Sequence, residues 1–147
     1  MHGLIYFVVP GEEKEDALVS AEDMVRDWHP TKIDYYTMPD DDHFIERWGE
    51  QKIVDADSEE GKKLIRELIK ENRKVLLNHF NRAKELIEKG DLANATYHLR
   101  MASGHPYFMS AFIDASEALV DEKQIEQMRK HMAENEKIWL VPVDIHY

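Results

Sequence analysis

The chain has 147 residues, a length that fits one domain with its own core, and 43% of them are apolar. Thirty acids against 19 bases give a net charge of −11. That balance argues against sequence-independent binding to nucleic acid and against anionic membrane surfaces, both of which need clustered Lys and Arg. No cysteine is present, which excludes disulfides, thiolate metal sites and cysteine nucleophiles.

The first segment, Leu4-Ile5-Tyr6-Phe7-Val8-Val9, is apolar on both parities. It predicts a strand from about Gly3 to Val9 that is covered on both faces and ended by Pro10-Gly11. The run is short and lacks a basic leader, so it does not read as a signal peptide. No stretch approaches the length of an apolar membrane span, and a cytoplasmic protein is expected. Ala17, Leu18, Ala21, Met24, Val25 and Trp28 then recur at helical period behind an acidic start, and His29-Pro30 stops that helix.

Residues 32–38 read as a second strand. Residues 39–49 read as a loop, in which the acidic triplet Asp40, Asp41 and Asp42 precedes His43, Phe44, Ile45, Glu46 and Trp48. Residues 51–56 are expected to form a short third strand, pairing with the second as a wide hairpin. Asp57 or Ser58 should cap a helix that meets no breaker until Gly90. Its stripe runs from Leu64 and Ile65 through Leu68, Ile69, Val75, Leu76, His79, Phe80, Ala83 and Leu86 to Ile87. About 30 residues would span roughly 45 Å, more than one sheet layer. A second helix from about Leu92 to Ala102 would fold back on it as an αα-hairpin.

Residues 107–114 are β formers and predict a fourth strand. Asp121-Glu122 opens a last helix with Ile125, Met128 and Met132 inward. The final strand carries Trp139, Val141, Val143, Ile145 and Tyr147 toward the core, and Asp144 and His146 on its other face. The order β-α-β-β-α-α-β-α-β predicts an α+β domain over residues 1–147. Its sheet should be mixed and mainly antiparallel, with four to five strands, ferredoxin-like with an inserted αα-hairpin.

Three groupings could carry chemistry. If the first and last strands pair antiparallel, His2 approaches His146, with Asp144 on the same face. Two imidazoles and a carboxylate could hold a divalent metal, or a carboxylate could orient one imidazole as a base. The segment Asp40, Asp41, Asp42, His43 and Glu46 offers oxygen and imidazole ligands. More simply, it is a wet acidic loop whose Phe44 and Trp48 either tuck into the core or contact a partner. Tyr97, His98, Arg100 and His105 could line a pocket, whereas His79 lies within an apolar stripe and reads as a core histidine. Phosphate-binding glycine motifs and the G-x-S-x-G elbow are missing, and Asp55 to Gly61 has the wrong spacing for a calcium loop.

Gly3 with Tyr6-Phe7-Val8-Val9, Asp34-Tyr35-Tyr36, Asp57-Ser58-Glu59-Glu60-Gly61, and Val141-Pro142 with Asp144-Ile145-His146-Tyr147 form a set of short matches. On these residues, within a match that covers about a third of its length, the chain resembles small uncharacterised proteins of haloarchaea and their viruses. The resemblance implies an accessory protein of a virus or mobile element and brings no assigned activity. The expected function is therefore non-enzymatic. It is protein interaction through an acidic surface that includes the 40–50 segment, with a basic protein partner or a second copy joined through the long helices. No resident cofactor is expected. The competing expectation is a small metal-dependent hydrolase built on His2, Asp144 and His146, or on His43 and its aspartates.

Overall fold

The structure, a computed structural model, describes residues 1–103, 110–113 and 118–147, with 110–113 described by their backbone. The elements in chain order are β1 (His2–Gly11), α1 (Lys14–Arg26), β2 (Tyr35–Thr37), α2 (Asp42–Trp48) and β3 (Val54–Asp55). They are followed by α3 (Glu59–Glu88), α4 (Leu92–Ser103), β4 (Ser110–Ile113), α5 (Glu122–His131) and β5 (Lys137–His146). The α+β class expected from the pattern is present, with a mixed and mainly antiparallel sheet. The αα-hairpin α3–α4 is inserted between β3 and β4.

The first and last strands form the centre of the sheet. β1 and β5 are antiparallel over their whole length, from His2 opposite His146 to Gly11 opposite Lys137. β4 lies parallel to β1 on one side. The other side of β5 carries two short strands placed end to end. β2 pairs with its last residues, Tyr35 opposite His146 and Thr37 opposite Asp144. β3 pairs lower down, Val54 opposite Leu140 and Asp55 opposite Trp139.

This arrangement replaces the expected hairpin between the second and third strands. The stretch of β5 between the two short strands is centred on Pro142, which has no N–H to give to a neighbour. A continuous edge strand would lose a ladder bond there. The edge is split instead, and α2 leaves the sheet at the gap.

α2 is a second correction, because residues 39–49 read as a loop. The Asp41 carboxylate caps it by accepting the His43 backbone N–H at 2.8 Å. Gly49 ends it at φ 73°, a conformation glycine adopts without strain. Phe44 is fully buried and anchors the helix to the body. Of the expected fourth strand, residues 110–113 are a strand, while its flanking residues and His105 lie outside the described residues.

Side-chain alternation on β1 and β5 divides the core in two. Ile5, Phe7, Val9, Trp139, Val141, Val143 and Ile145 pack with Ala17, Ala21, Val25 and Trp28 of the α1 segment. Tyr6, Val8, Ile138 and Leu140 pack on the opposite face with Ile65 and Leu68 of α3 and Ile125 of α5. Both parities of the central strands are thus covered, as their sequence required.

α3 starts against β3. The Ser58 hydroxyl accepts the Gly61 N–H at 3.0 Å and donates to the Asp55 carbonyl at 2.7 Å. Gly61 is needed for this approach, since a Cβ would lie 2.0 Å from the Asp55 carbonyl oxygen. After Leu76 the buried residues of α3, Ala83 and Leu86, belong to neither face of the sheet. They mark the seam with α4, whose buried residue is Ala95. The distal half of the hairpin therefore stands clear of the sheet. Among the described residues, no helix is long and apolar enough to cross a membrane.

Candidate functional site

The antiparallel register of β1 and β5 sets the end of the sheet. His2, Asp144 and His146 point to the face that carries Tyr6 and Val8, and β2 adds Tyr35 and Thr37 to it. α3 and α5 cover the other end of this face. Here the cover is α2, which brings His43, Glu46 and Arg47 over the strands. The result is a cleft of about 520 Å³ lined by His2, Tyr35, Thr37, His43, Glu46, Arg47 and Asp144.

Asp144 is the centre of the cleft, with a side chain only 2% exposed. Burial of a carboxylate requires partners, and three are present. His2 Nδ1 lies 2.9 Å from Oδ2 and 3.1 Å from Oδ1. The Thr37 hydroxyl donates to Oδ2 at 3.4 Å, and Arg47 Nε stands 3.6 Å from the same oxygen. The other nitrogen of His2, Nε2, lies 3.0 Å from the Tyr35 hydroxyl. The Tyr35 ring stacks on His146 with centroids 4.7 Å apart and planes 7° from parallel. His146 turns its Nδ1 to Asp34, 3.0 Å away.

The pairing of His2 with His146 expected from the sequence is formed, with ring centroids 4.8 Å apart. Their nitrogens do not converge on one point, because each ring is turned to its own carboxylate. Among the described residues no three His, Asp or Glu side chains are grouped to hold a metal ion. His43 shares the cleft wall but is 83% exposed and lies 3.7 Å from Glu46. Asp40, Asp41 and Asp42 are exposed, and Asp41 is committed to its cap. Phe44 offers no surface to a partner, and Trp48 is half-buried. Sequence reasoning missed Tyr35, Thr37 and Arg47. The signal for the first two was their parity with His146 and Asp144. Arg47 follows only once α2 is recognised as a helix.

A second surface stands out on the αα-hairpin. Of the ten large apolar side chains exposed among the described residues, six are on it: Leu77, Phe80, Ile87, Leu92, Tyr97 and Leu99. Phe80 is 58% exposed. His79 of α3 meets His98 of α4, Nδ1 to Nδ1 at 3.1 Å. Burial first, and the charge of His98 second, hold His79 below the ordinary histidine range. Charge is also unevenly divided. Residues 59–103 hold ten bases against seven acids, which leaves nine bases against 23 acids in the rest of the chain. The hairpin is basic, and the sheet body carries all of the acidic excess.

Fold and cleft together define an α+β protein with a buried carboxylate–imidazole pair at one end of its sheet. The chain belongs to the family described as Domain of unknown function DUF7995, which it matches over residues 1–147. No curated protein and no solved structure matches it.

Proposed function

We propose that this chain is an accessory protein that works by protein contact, and that its docking element is the distal αα-hairpin seated on the acidic body of a second copy. The observation that carries the proposal is the exposed apolar surface of the hairpin, typified by Phe80, on an element that lacks the acidic excess of the body, since residues 77–103 hold four bases against three acids. Exposed apolar side chains gathered on one projecting element mark a contact surface. A few well-packed anchors, aromatic ones above all, supply most of the binding energy of such contacts. The charge difference then selects the partner and its orientation. A second copy offers an acidic face that a hairpin without acidic excess can approach, its Lys84 and Lys89 toward the carboxylates, and a reciprocal exchange of hairpins closes as a two-fold dimer.

The exposed carboxylates Asp40, Asp41 and Asp42 belong to the receiving face in this reading. Phe44 serves it only by holding α2 in place, and Trp48 lies at its edge. The resemblance to small proteins of haloarchaea and their viruses supports a place as a cytoplasmic accessory factor of such a host or its mobile elements.

Sedimentation equilibrium tests the proposal. The chain should behave as a species of twice 17.3 kDa at micromolar concentration. Phe80→Asp should return it to 17.3 kDa without loss of helical signal. A single 17.3 kDa species at every concentration up to the millimolar range would refute it.

A further inference from the structure

We infer that the cleft at the end of the sheet is a hydrolytic site, with Tyr35 as nucleophile, His2 as its base and Asp144 as the positioning group for His2, acting on a small uncharged ester. This reading is independent of the docking surface and uses different residues.

The direction of the hydrogen bonds follows from the carboxylate. Asp144 can only accept, so His2 Nδ1, 2.9 Å away, carries the proton. In the neutral imidazole Nε2 is then an acceptor, and the Tyr35 hydroxyl at 3.0 Å donates to it. Carboxylate, imidazole and hydroxyl thus form a relay in the order that activates a nucleophile. A histidine present only to satisfy Asp144 would need one nitrogen. Here the second nitrogen engages a hydroxyl whose residue is 44% exposed.

The supports are rigid. Asp144 and His2 lie on the two central strands, and stacking on His146 fixes the Tyr35 ring. The cleft of about 520 Å³ suits a small ligand. Its lining sets the cation of Arg47 against the carboxylates of Asp144 and Glu46, so it has no positive excess to attract a phosphorylated substrate.

The reaction closes on ester and water. Tyr35 Oη attacks the carbonyl carbon while its proton passes to His2 Nε2. The carbonyl electron pair moves to oxygen, on the side of the cleft that carries Arg47. As the tetrahedral centre collapses, the alkoxide leaves with the proton from Nε2, and an acyl-tyrosine remains. Water then adds to this ester and gives its proton to Nε2. Collapse releases the acid, and the proton returns to Tyr35.

The test is labelling of the full chain with an arylsulfonyl fluoride, followed by peptide mapping. Free N-acetyltyrosine amide in the same reaction is the reference, an unactivated phenol that no fold or partner covers. Tyr35 should react at least tenfold faster than this reference. His2→Gln and Asp144→Asn should each lower the Tyr35 rate tenfold or more. Tyr35→Phe should abolish hydrolysis of p-nitrophenyl acetate above background. A Tyr35 rate in the wild-type chain no greater than that of the reference would overturn the inference, whether or not the variants fold. So would a folded His2→Gln variant with an unaltered Tyr35 rate.

Discussion

His2 and Asp144 are 142 residues apart in sequence, yet Nδ1 of one lies 2.9 Å from Oδ2 of the other. The contact exists because the first and last strands are central antiparallel neighbours. It also makes the buried carboxylate depend on the start of the chain. His2→Ala removes its closest partner and should cost about 1–3 kcal/mol. His2→Gln, whose amide can still donate, should cost less. Urea unfolding monitored by tryptophan fluorescence checks both values.

The junction of β3 and α3 should be the least tolerant backbone position outside the core. A methyl group at Gly61 meets the Asp55 carbonyl, so Gly61→Ala should destabilise by about 1–3 kcal/mol, as overpacking does. Ser58→Ala removes only the cap and should cost about 1 kcal/mol. Thermal unfolding of the two variants ranks them, and the glycine variant should melt first.

Acid should loosen the hairpin. The pKa of His79 is lowered in the folded chain, so folding favours its neutral form. Above the unfolded value of about 6.5 this contribution is fully present. As pH falls below that value, the unfolded chain takes up the proton first, and stability is lost until folded His79 protonates as well. His79→Asn should therefore lose less stability on acidification than the wild type. Urea midpoints measured on either side of the histidine range show the difference.

The sheet was legible where the sequence was extreme. β1 and β5 are apolar on both parities, and only a central place in a covered sheet satisfies that pattern. Residues 39–49 were less legible because seven helical residues carry too little periodicity to outweigh an acidic, loop-like composition. The Asp41 cap and the terminating Gly49 were the signals available. The split edge was hidden in Pro142, which sits within an apolar run but withholds one hydrogen bond. The stripe of α3 was read correctly as apolar, but periodicity cannot show what covers it. Ile65 and Leu68 meet the sheet, whereas Phe80 and Ile87 of the same stripe keep half or more of their surface exposed. The cleft was half legible, since His2, Asp144 and His146 follow from strand register, while Arg47 depends on a helix that the sequence disguises.

The docking surface has a chemical signature of its own. If hairpin lysines lie on acidic bodies, neutralising the receiving face should weaken association as well as breaking the apolar anchor does. Replacing Asp40, Asp41 and Asp42 together by Asn should raise the dimer dissociation constant about tenfold, equivalent to about 1.4 kcal/mol. A dimer held by hairpin against hairpin would be indifferent to that change. Sedimentation of the triple variant separates the two arrangements.

Zero-length carbodiimide crosslinking between isotopically heavy and light copies tests the central claim most directly, because it joins amines only to carboxylates in contact. The docking arrangement predicts heavy–light peptides that link the hairpin lysines Lys84 and Lys89 to carboxylates of the body, Asp40 to Asp42 among them. Crosslinks confined to single copies, or joining one hairpin only to another, would contradict it.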